Sequence, residues 1–157
     1  MDELKITAML EADRQDLAGI LAEGEFWQRK GHGYDEALAF LEGYDPGTGE
    51  ITVARMDGKS VGWVWFTSAG TFYEFGYVYL LAVAADYRGR GIGEELMRVA
   101  EGRIGKKSPA VFLLVSDFNE GARRFYGRIG YSQCGTLPNY KGGGNDEIIM
   151  WKTQWKI

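Results

Sequence analysis

The chain has one cysteine, one histidine and three prolines among 157 residues, and each scarcity removes a class of function. With Cys134 alone there is no intrachain disulfide and no cysteine-built zinc site. A Ser-His-Asp arrangement would rest on His32, which stands between Gly31 and Gly33 in an expected loop, so a surface histidine is the simpler reading. No stretch approaches the roughly 18 consecutive apolar residues of a membrane span. The opening Met1-Asp2-Glu3-Leu4-Lys5 lacks a basic stretch followed by an apolar one, so no secretory signal is expected and a cytoplasmic protein is. The formal net charge of −4 gives no electrostatic argument for nucleic acid or an anionic membrane surface. It favours a cationic partner such as an amine.

What is present describes one globular domain over residues 1–157, long enough to bury a core without metal or disulfide staples. Apolar residues make up 45% and charged residues 25%. The 23 glycines are about twice the average usage, as many short strands and tight turns would require. Leu4 to Leu10 reads as a strand, and Ala12 to Trp27 as a helix with Leu17, Ile20 and Leu21 on one face. A glycine-bracketed loop leads to a helix over Tyr34 to Glu42. Two strands, Ile51 to Met56 and Ser60 to Ser68, are joined by Asp57-Gly58, the chemistry of a tight hairpin. A long strand runs from Phe72 to Val83, its apolar stretch Tyr77 to Ala85 reading as buried. A helix from Gly91 to Ile104 follows. Ala110 to Val115 is apolar throughout, as for a strand covered on both faces. A helix over Asn119 to Ile129 and strands Ser132 to Gly135 and Asp146 to Lys152 complete an α/β fold, a mixed central sheet flanked by helices.

The most informative segment is Val83 to Leu96. A strand breaks into the basic turn Asp86-Tyr87-Arg88-Gly89-Arg90-Gly91 and then opens a helix whose face carries Ile92, Leu96, Val99 and Ala100. A helix N-terminus presents unsatisfied N–H groups and partial positive charge, so it attracts anions. Glycines at 89, 91 and 93 remove side chains that would hold a phosphate off the backbone, and Arg88 and Arg90 add charge. The segment reads as a pyrophosphate cradle. It is not the dinucleotide fingerprint, because Glu94 stands where the third glycine belongs, and a nucleoside-triphosphate loop is absent. Taken alone, a glycine-rich turn is the plainer alternative.

What stands here is R-x-x-G-x-G, from Arg88 through Gly91 to Gly93, which resembles the acetyl-CoA motif of the GNAT superfamily of N-acetyltransferases. Further on, Asn119, Ala122, Phe125, Tyr126, Gly130 and Tyr131 match a second signature of that family, N-x-x-A-x-x-[FL]-Y-x-x-x-G-[FY]. The element order agrees as well, although residues 77–131 alone carry specific motifs. The resemblance implies a single-domain N-acetyltransferase with acetyl-CoA as cosubstrate, an amine as acceptor and no metal; dimers are common in the family, which leaves a homodimer open. It implies that Arg88, Gly89, Arg90, Gly91, Ile92, Gly93 and Glu94 hold the diphosphate and that the pantetheine arm lies along Leu81, Ala82 and Val83. The Leu81 N–H is implied as the donor to the thioester oxyanion, worth a few kcal/mol. Asn119 is implied at the pantetheine, and Tyr126 as the acid that protonates the departing thiolate. Their structural alternatives are a helix N-cap for Asn119 and a core position beside Phe125 and Ile129 for Tyr126.

The proton acceptor is less defined. Where family members carry a glutamate, this chain has Tyr77 on the long strand and Leu114 on the next. Glu74 is the nearest carboxylate on the long strand, and a water relay or an α-amine is the alternative. Acidic residues Glu23, Glu25, Asp35, Glu36, Glu42, Asp146 and Glu147 could steer a cation, although charge runs are usually solvated. Aromatics such as Trp63, Trp65, Phe72, Tyr73, Tyr77 and Tyr79 could line a groove or belong to the core. The missing glutamates leave a second class of function open: an acyl-CoA-binding module that senses without turnover.

Overall fold

Leu17 and Leu21 recur at helical spacing, Ile51 and Val53 at strand spacing, and in the computed structural model both pairs are buried in one core cluster. The structure describes residues 3–154. Seven strands form a mixed sheet in the order β1-β2-β3-β4-β5-β7-β6. They are β1 Lys5–Ala8, β2 Glu50–Met56, β3 Lys59–Thr71, β4 Phe75–Val83, β5 Ala110–Ser116, β6 Ser132–Leu137 and β7 Glu147–Thr153. The helices are α1 Arg14–Ala22, α2 Glu25–Arg29, α3 Tyr34–Glu42, α4 Ile92–Ile104 and α5 Glu120–Arg128. Pairing is parallel between β4 and β5 and antiparallel between β1 and β2, β2 and β3, β5 and β7, and β6 and β7. Among the described residues no helix is long and apolar enough to cross a membrane.

The chain divides into two compact units, which β3, β4 and α4 run through. One comprises the chain up to Phe66 with Leu80–Glu101, the other Thr67–Tyr79 with the chain from Gly102 on. In the first, α1 and α3 pack with Leu17, Ala18, Leu21, Ala37 and Leu41 fully buried. Their partners on the sheet are Ile51, Val53 and Trp63, and the Trp63 indole donates to the Leu17 carbonyl at 3.1 Å. The Arg14 guanidinium donates to the Leu41 carbonyl, tying the two helices together. Before α1, the buried Asp13 carboxylate takes Arg55 at 2.7 Å and the Leu10 N–H at 2.7 Å. The bond from Arg55 lowers the Asp13 pKa against the opposing effect of burial.

In the second unit, Val111, Leu113, Val115, Ile148 and Met150 share one buried face of β5 and β7. The opposite face carries Phe112, Leu114, Ile149 and Trp151, all half-buried, so β5 is fully covered on one side alone. Phe112 gathers Phe72, Phe75 and Trp151 around it at ring-centroid distances of 6.0, 6.0 and 5.5 Å.

Several sequence expectations change. The helix expected over Ala12–Trp27 is a 3₁₀ turn at Glu11–Asp13 followed by α1 and α2, interrupted at Gly24, whose backbone is extended (ψ 131°). The long strand begins at Phe75 rather than Phe72, because Phe72 and Tyr73 take φ values of +53° and +63° in a hairpin turn. The stretch Tyr77–Ala85, expected buried, holds one fully buried residue, Val78; the others are half-buried or exposed. By contrast, the α3 boundaries match the expectation. Asp57 and Gly58 have φ values of +52° and +73°, the hand that a two-residue hairpin favours.

Candidate active site

Helix α4 buries Ile92, Leu96, Met97 and Ala100, one stripe of an amphipathic helix. It settles on β3 because position 62 is glycine. A methyl group on Gly62 would lie 3.1 Å from the Ala82 carbonyl oxygen, 3.2 Å from Leu96 and 3.3 Å from Ile92. Gly62 thus fixes the height of the first turn of α4, and sequence reasoning passed over it. The available signal was a glycine inside an apolar strand, which marks close approach.

Between β4 and α4 the chain makes a 3₁₀ turn at Ala85–Tyr87, then an extended Arg88. Gly89 and Gly91 follow with φ of +78° and +81°. Left-handed residues alternating with ordinary ones turn successive N–H groups toward a common point, the geometry of an anion nest. The first helical hydrogen bond runs from the Glu95 N–H to the Gly91 carbonyl at 3.1 Å, so the amides of Ile92, Gly93 and Glu94 precede it. Nothing lies within 4 Å of where a Cβ on Gly89 or Gly91 would stand. Glycine is needed there for its backbone conformation, and the space above the loop is open. The Arg88 Nε donates to the Val83 carbonyl at 3.1 Å, and the Arg90 guanidinium lies 4.8 Å from the Tyr87 ring centre. The turn is braced further by Glu23, whose carboxylate accepts the Ala85 N–H at 2.8 Å.

Strand β4 has two edges. The Ala84 N–H donates to the Val61 carbonyl at 2.8 Å, so Ala84 and Ala82 direct their peptide groups toward β3. In an extended strand neighbouring residues point the opposite way, which turns the peptide groups of Leu81 and Val83 away from β3. The β4–β5 register takes up Gly76, Tyr77 and Val78.

The second motif lies in the other unit. Asn119 caps α5, its Oδ1 accepting the Ala122 N–H at 3.1 Å; this leaves its amide NH₂ as a donor. Tyr126 is buried on the apolar face of α5, in ring contact with Phe125 and Tyr131. Burial first, and the neighbouring Tyr77 second, push its pKa well above the ordinary tyrosine value. Tyr77 is pushed up to about 12, first by burial and then by Tyr140, Tyr79 and Glu147. Both hydroxyls keep their protons at neutral pH.

Glu74 is not on the long strand. It ends the strained turn before β4, exposed, with its N–H donating to the Thr71 carbonyl at 3.1 Å. Leu114 is half-buried and pairs across with Ile149. Among the acidic residues, Glu36 accepts the Gly33 N–H and Asp146 the Asn139 N–H, each at 2.9 Å. Glu147 is 6% exposed. A cavity of about 330 Å³ is lined by Glu120, Arg123, Arg124, Gln133, Ile148 and Met150, none of them a residue assigned from sequence. Among the described residues no group of three or more His, Cys, Asp or Glu is arranged to hold a metal ion.

The model of the acetyltransferase (GNAT) family matches residues 14–131. An uncharacterized N-acetyltransferase of Methanocaldococcus jannaschii is 34% identical over 102 residues, 64% of this chain and 64% of that protein. An N-alpha-acetyltransferase of Arabidopsis thaliana is 36% identical over 76 residues, 48% of this chain and 40% of that protein. The chain therefore spans less than two thirds of these curated relatives. Among solved structures, a GNAT-family protein from Desulfovibrio desulfuricans superposes with a TM-score of 0.82 at 19% identity, covering 96% of this chain and 99% of that one. The ribosomal-protein-S18-alanine N-acetyltransferase from Escherichia coli gives 0.74 at 18% identity, with 99% and 96% covered. At those identities the structures speak to the fold.

Proposed function

Because the chain belongs to the GNAT acetyltransferase family, we propose that it moves an acetyl group from acetyl-CoA to a primary amine by direct attack of the nitrogen on the thioester. The observation that carries this reading is the left-handed pair Gly89 and Gly91 running into the N-terminus of α4. The residues fit a diphosphate: amides of a nest and of a first helical turn, open space above them, and two arginines beside them.

In this reading the amides from Gly89 to Glu94 bind the diphosphate. The pantetheine arm adds to the free edge of β4, taking main-chain hydrogen bonds from Leu81 and Val83 as an extra strand would. The Leu81 N–H donates to the carbonyl oxygen as it becomes an oxyanion, a contribution of about 3 kcal/mol at the transition state. Asn119 offers its remaining amide donor to the pantetheine. Tyr126 protonates the departing thiolate; burial favours its neutral, proton-bearing form.

Calorimetric titration of acetyl-CoA should give saturable binding, and a panel of amines should release CoA thiol. Tyr126→Phe should lower kcat by roughly 100-fold while leaving acetyl-CoA affinity within about twofold, since one hydroxyl is removed from a chemical step. Absence of binding at millimolar acetyl-CoA would end the reading. Binding without thiol release for every amine would instead favour the CoA-binding module, the reading that the missing glutamates at Tyr77 and Leu114 support.

A further inference from the structure

The second unit, Thr67–Tyr79 with Gly102–Ile157, holds nine lysines and arginines against five acidic residues; the first holds nine against seventeen. The formal charge of −4 therefore averages over two units of opposite sign, an asymmetry that points to a charged partner. Within the second unit the charges also separate along the strands. Glu147 opens β7 opposite Ser116, the last residue of β5, the Asp117 N–H donates to the Asp146 carbonyl at 3.0 Å, and Glu120 opens α5. The other end is made by the first residues of β4 and β5, the last of β7 and the end of α4. There Gly76 pairs with Val111 and Val111 with Lys152, and the Gly76 N–H donates to the Ser108 hydroxyl at 3.2 Å. Arg103, Lys106 and Lys107 lie at this end, all exposed, with the half-buried Lys152. Among the described residues of the unit, Glu74 is the one acid there.

The β3–β4 hairpin closes at the same end. Phe72 and Tyr73 take φ of +53° and +63°, and the Glu74 N–H donates to the Thr71 carbonyl at 3.1 Å. This is a two-residue turn of the hand that asparagine and glycine favour, and bulky side chains occupy it at a cost in strain. Yet Phe72 is 74% and Tyr73 95% exposed. Strain that holds two aromatics out in water points to a surface that receives them. From Thr67 to Tyr73 no side chain is charged, so the tip can leave water without burying an ion. Tyr73 stands three residues before Gly76, a reach of up to about 10 Å beyond the level of Ser108 and its neighbouring lysines.

We propose that this end of the second unit docks on an anionic lipid bilayer as a peripheral contact. Phe72 and Tyr73 enter the interfacial layer, whose apolar contacts lie about 5–10 Å deep, while Arg103, Lys106 and Lys107 meet the headgroups, each cation near the surface being worth about fivefold in affinity. Single-stranded nucleic acid, the other polyanion that takes aromatics and cations together, stacks on open ring faces beside a basic groove. Here Phe72, Phe75 and Trp151 pack around Phe112 at 6.0, 6.0 and 5.5 Å, which leaves a projecting tip and no platform. The inference stands apart from the acetyl-transfer reading.

The test sediments the full chain with vesicles of phosphatidylcholine alone and with about one-third phosphatidylserine. The wild type should pellet with the second and stay in solution with the first. Raising salt from about 0.1 M to 1 M, which shortens the screening length from roughly 10 to 3 Å, should release it. Lys106→Ala combined with Lys107→Ala should lower affinity about thirtyfold, and Glu74→Gln should raise it about fivefold. Tyr73→Gly should lower affinity about tenfold while raising the melting temperature, because glycine takes the left-handed turn without strain. Weaker binding by a more stable protein cannot come from misfolding. No sedimentation with phosphatidylserine vesicles, equal sedimentation with phosphatidylcholine alone, or affinity within twofold of wild type for the lysine pair or for Tyr73→Gly would overturn the proposal. So would a wild type that retains single-stranded RNA and leaves the vesicles unbound, an outcome that would assign the basic end to nucleic acid.

Discussion

Gly91 and Gly102 are eleven residues apart, both exposed, and neither has an atom within 4 Å of where a Cβ would stand. They differ in backbone hand. Gly91 has φ +81°, where an L-residue costs about 1–2 kcal/mol; Gly102 sits within α4 in ordinary helical conformation. Gly91→Ala should therefore weaken acetyl-CoA binding about tenfold, because relaxing the strain reorients the amides of the nest. Gly102→Ala should leave binding unchanged and raise stability by about 0.5–1 kcal/mol. Titration calorimetry and thermal melts of the two variants check both outcomes. The glycine turn opening α4 was legible in the sequence, but the reason for its glycines was not. Spacing alone leaves close approach and backbone hand indistinguishable, and the open space above Gly89 and Gly91 favours the second. Asn119 shows a similar limit: the N-cap reading holds in the structure, and one side chain can cap with its oxygen while its nitrogen stays available.

At the scale of elements, the strands and helices with strong periodicity fell where their patterns put them. Tyr34–Glu42 was bounded by Gly33 and Gly43, and Asp57-Gly58 marked the β2–β3 hairpin. Errors arose where local chemistry and tertiary packing disagree. The pattern from Ala12 to Trp27 hid Gly24, which lets the chain extend before α2. Phe72 and Tyr73 have strong strand propensity, yet they occupy left-handed turn positions, with the Phe72 ring repaid by contact with Phe112. The seating of α4 on β3 depends on Gly62, which no motif marks. Gly62→Val would push a branched side chain against Ile92, Leu96 and the Ala82 carbonyl, an overpacking cost of about 1–3 kcal/mol. It should lift the first turn of α4 and weaken acetyl-CoA binding at least as much as Gly91→Ala does. A variant that melts lower but binds acetyl-CoA like the wild type would separate the seating of α4 from the cradle.

For the molecule as a whole, the shifted groups bracket a range of stable pH. Asp13 has an ordinary value of 3.8 that the hydrogen bond from Arg55 lowers. The stability it contributes is present above about 3.8 and is lost as pH falls through the depressed folded value. Tyr77 moves from 10.0 to about 12, and Tyr126 is raised as well. Their contribution is intact below about 10 and is lost as pH rises through 12. Thermal melts should therefore show a plateau between roughly pH 4 and 10, with an acid limb flattened by Asp13→Asn and an alkaline limb softened by Tyr77→Phe. Asp13→Asn should also cost about 2–3 kcal/mol at pH 7, the scale of hydrogen bonds to a charged group. The family was readable because its two motifs and element order are local patterns. Which of the seven carboxylates that could steer a cation is buried was not, because Glu147, 6% exposed, reaches the face of Tyr77 only through cross-strand register, which joins residues about seventy positions apart in the chain.

The measurement that bears most directly on the central claim is acetyl-CoA titrated into ¹⁵N-labelled protein, followed by amide shifts. The N–H signals of Gly89 to Glu94, together with Leu81 and Val83, should move saturably and further than those of α1 and α3. Unmoved amides in that loop at saturating acetyl-CoA, or no saturation at all, would contradict a diphosphate held by the glycine turn.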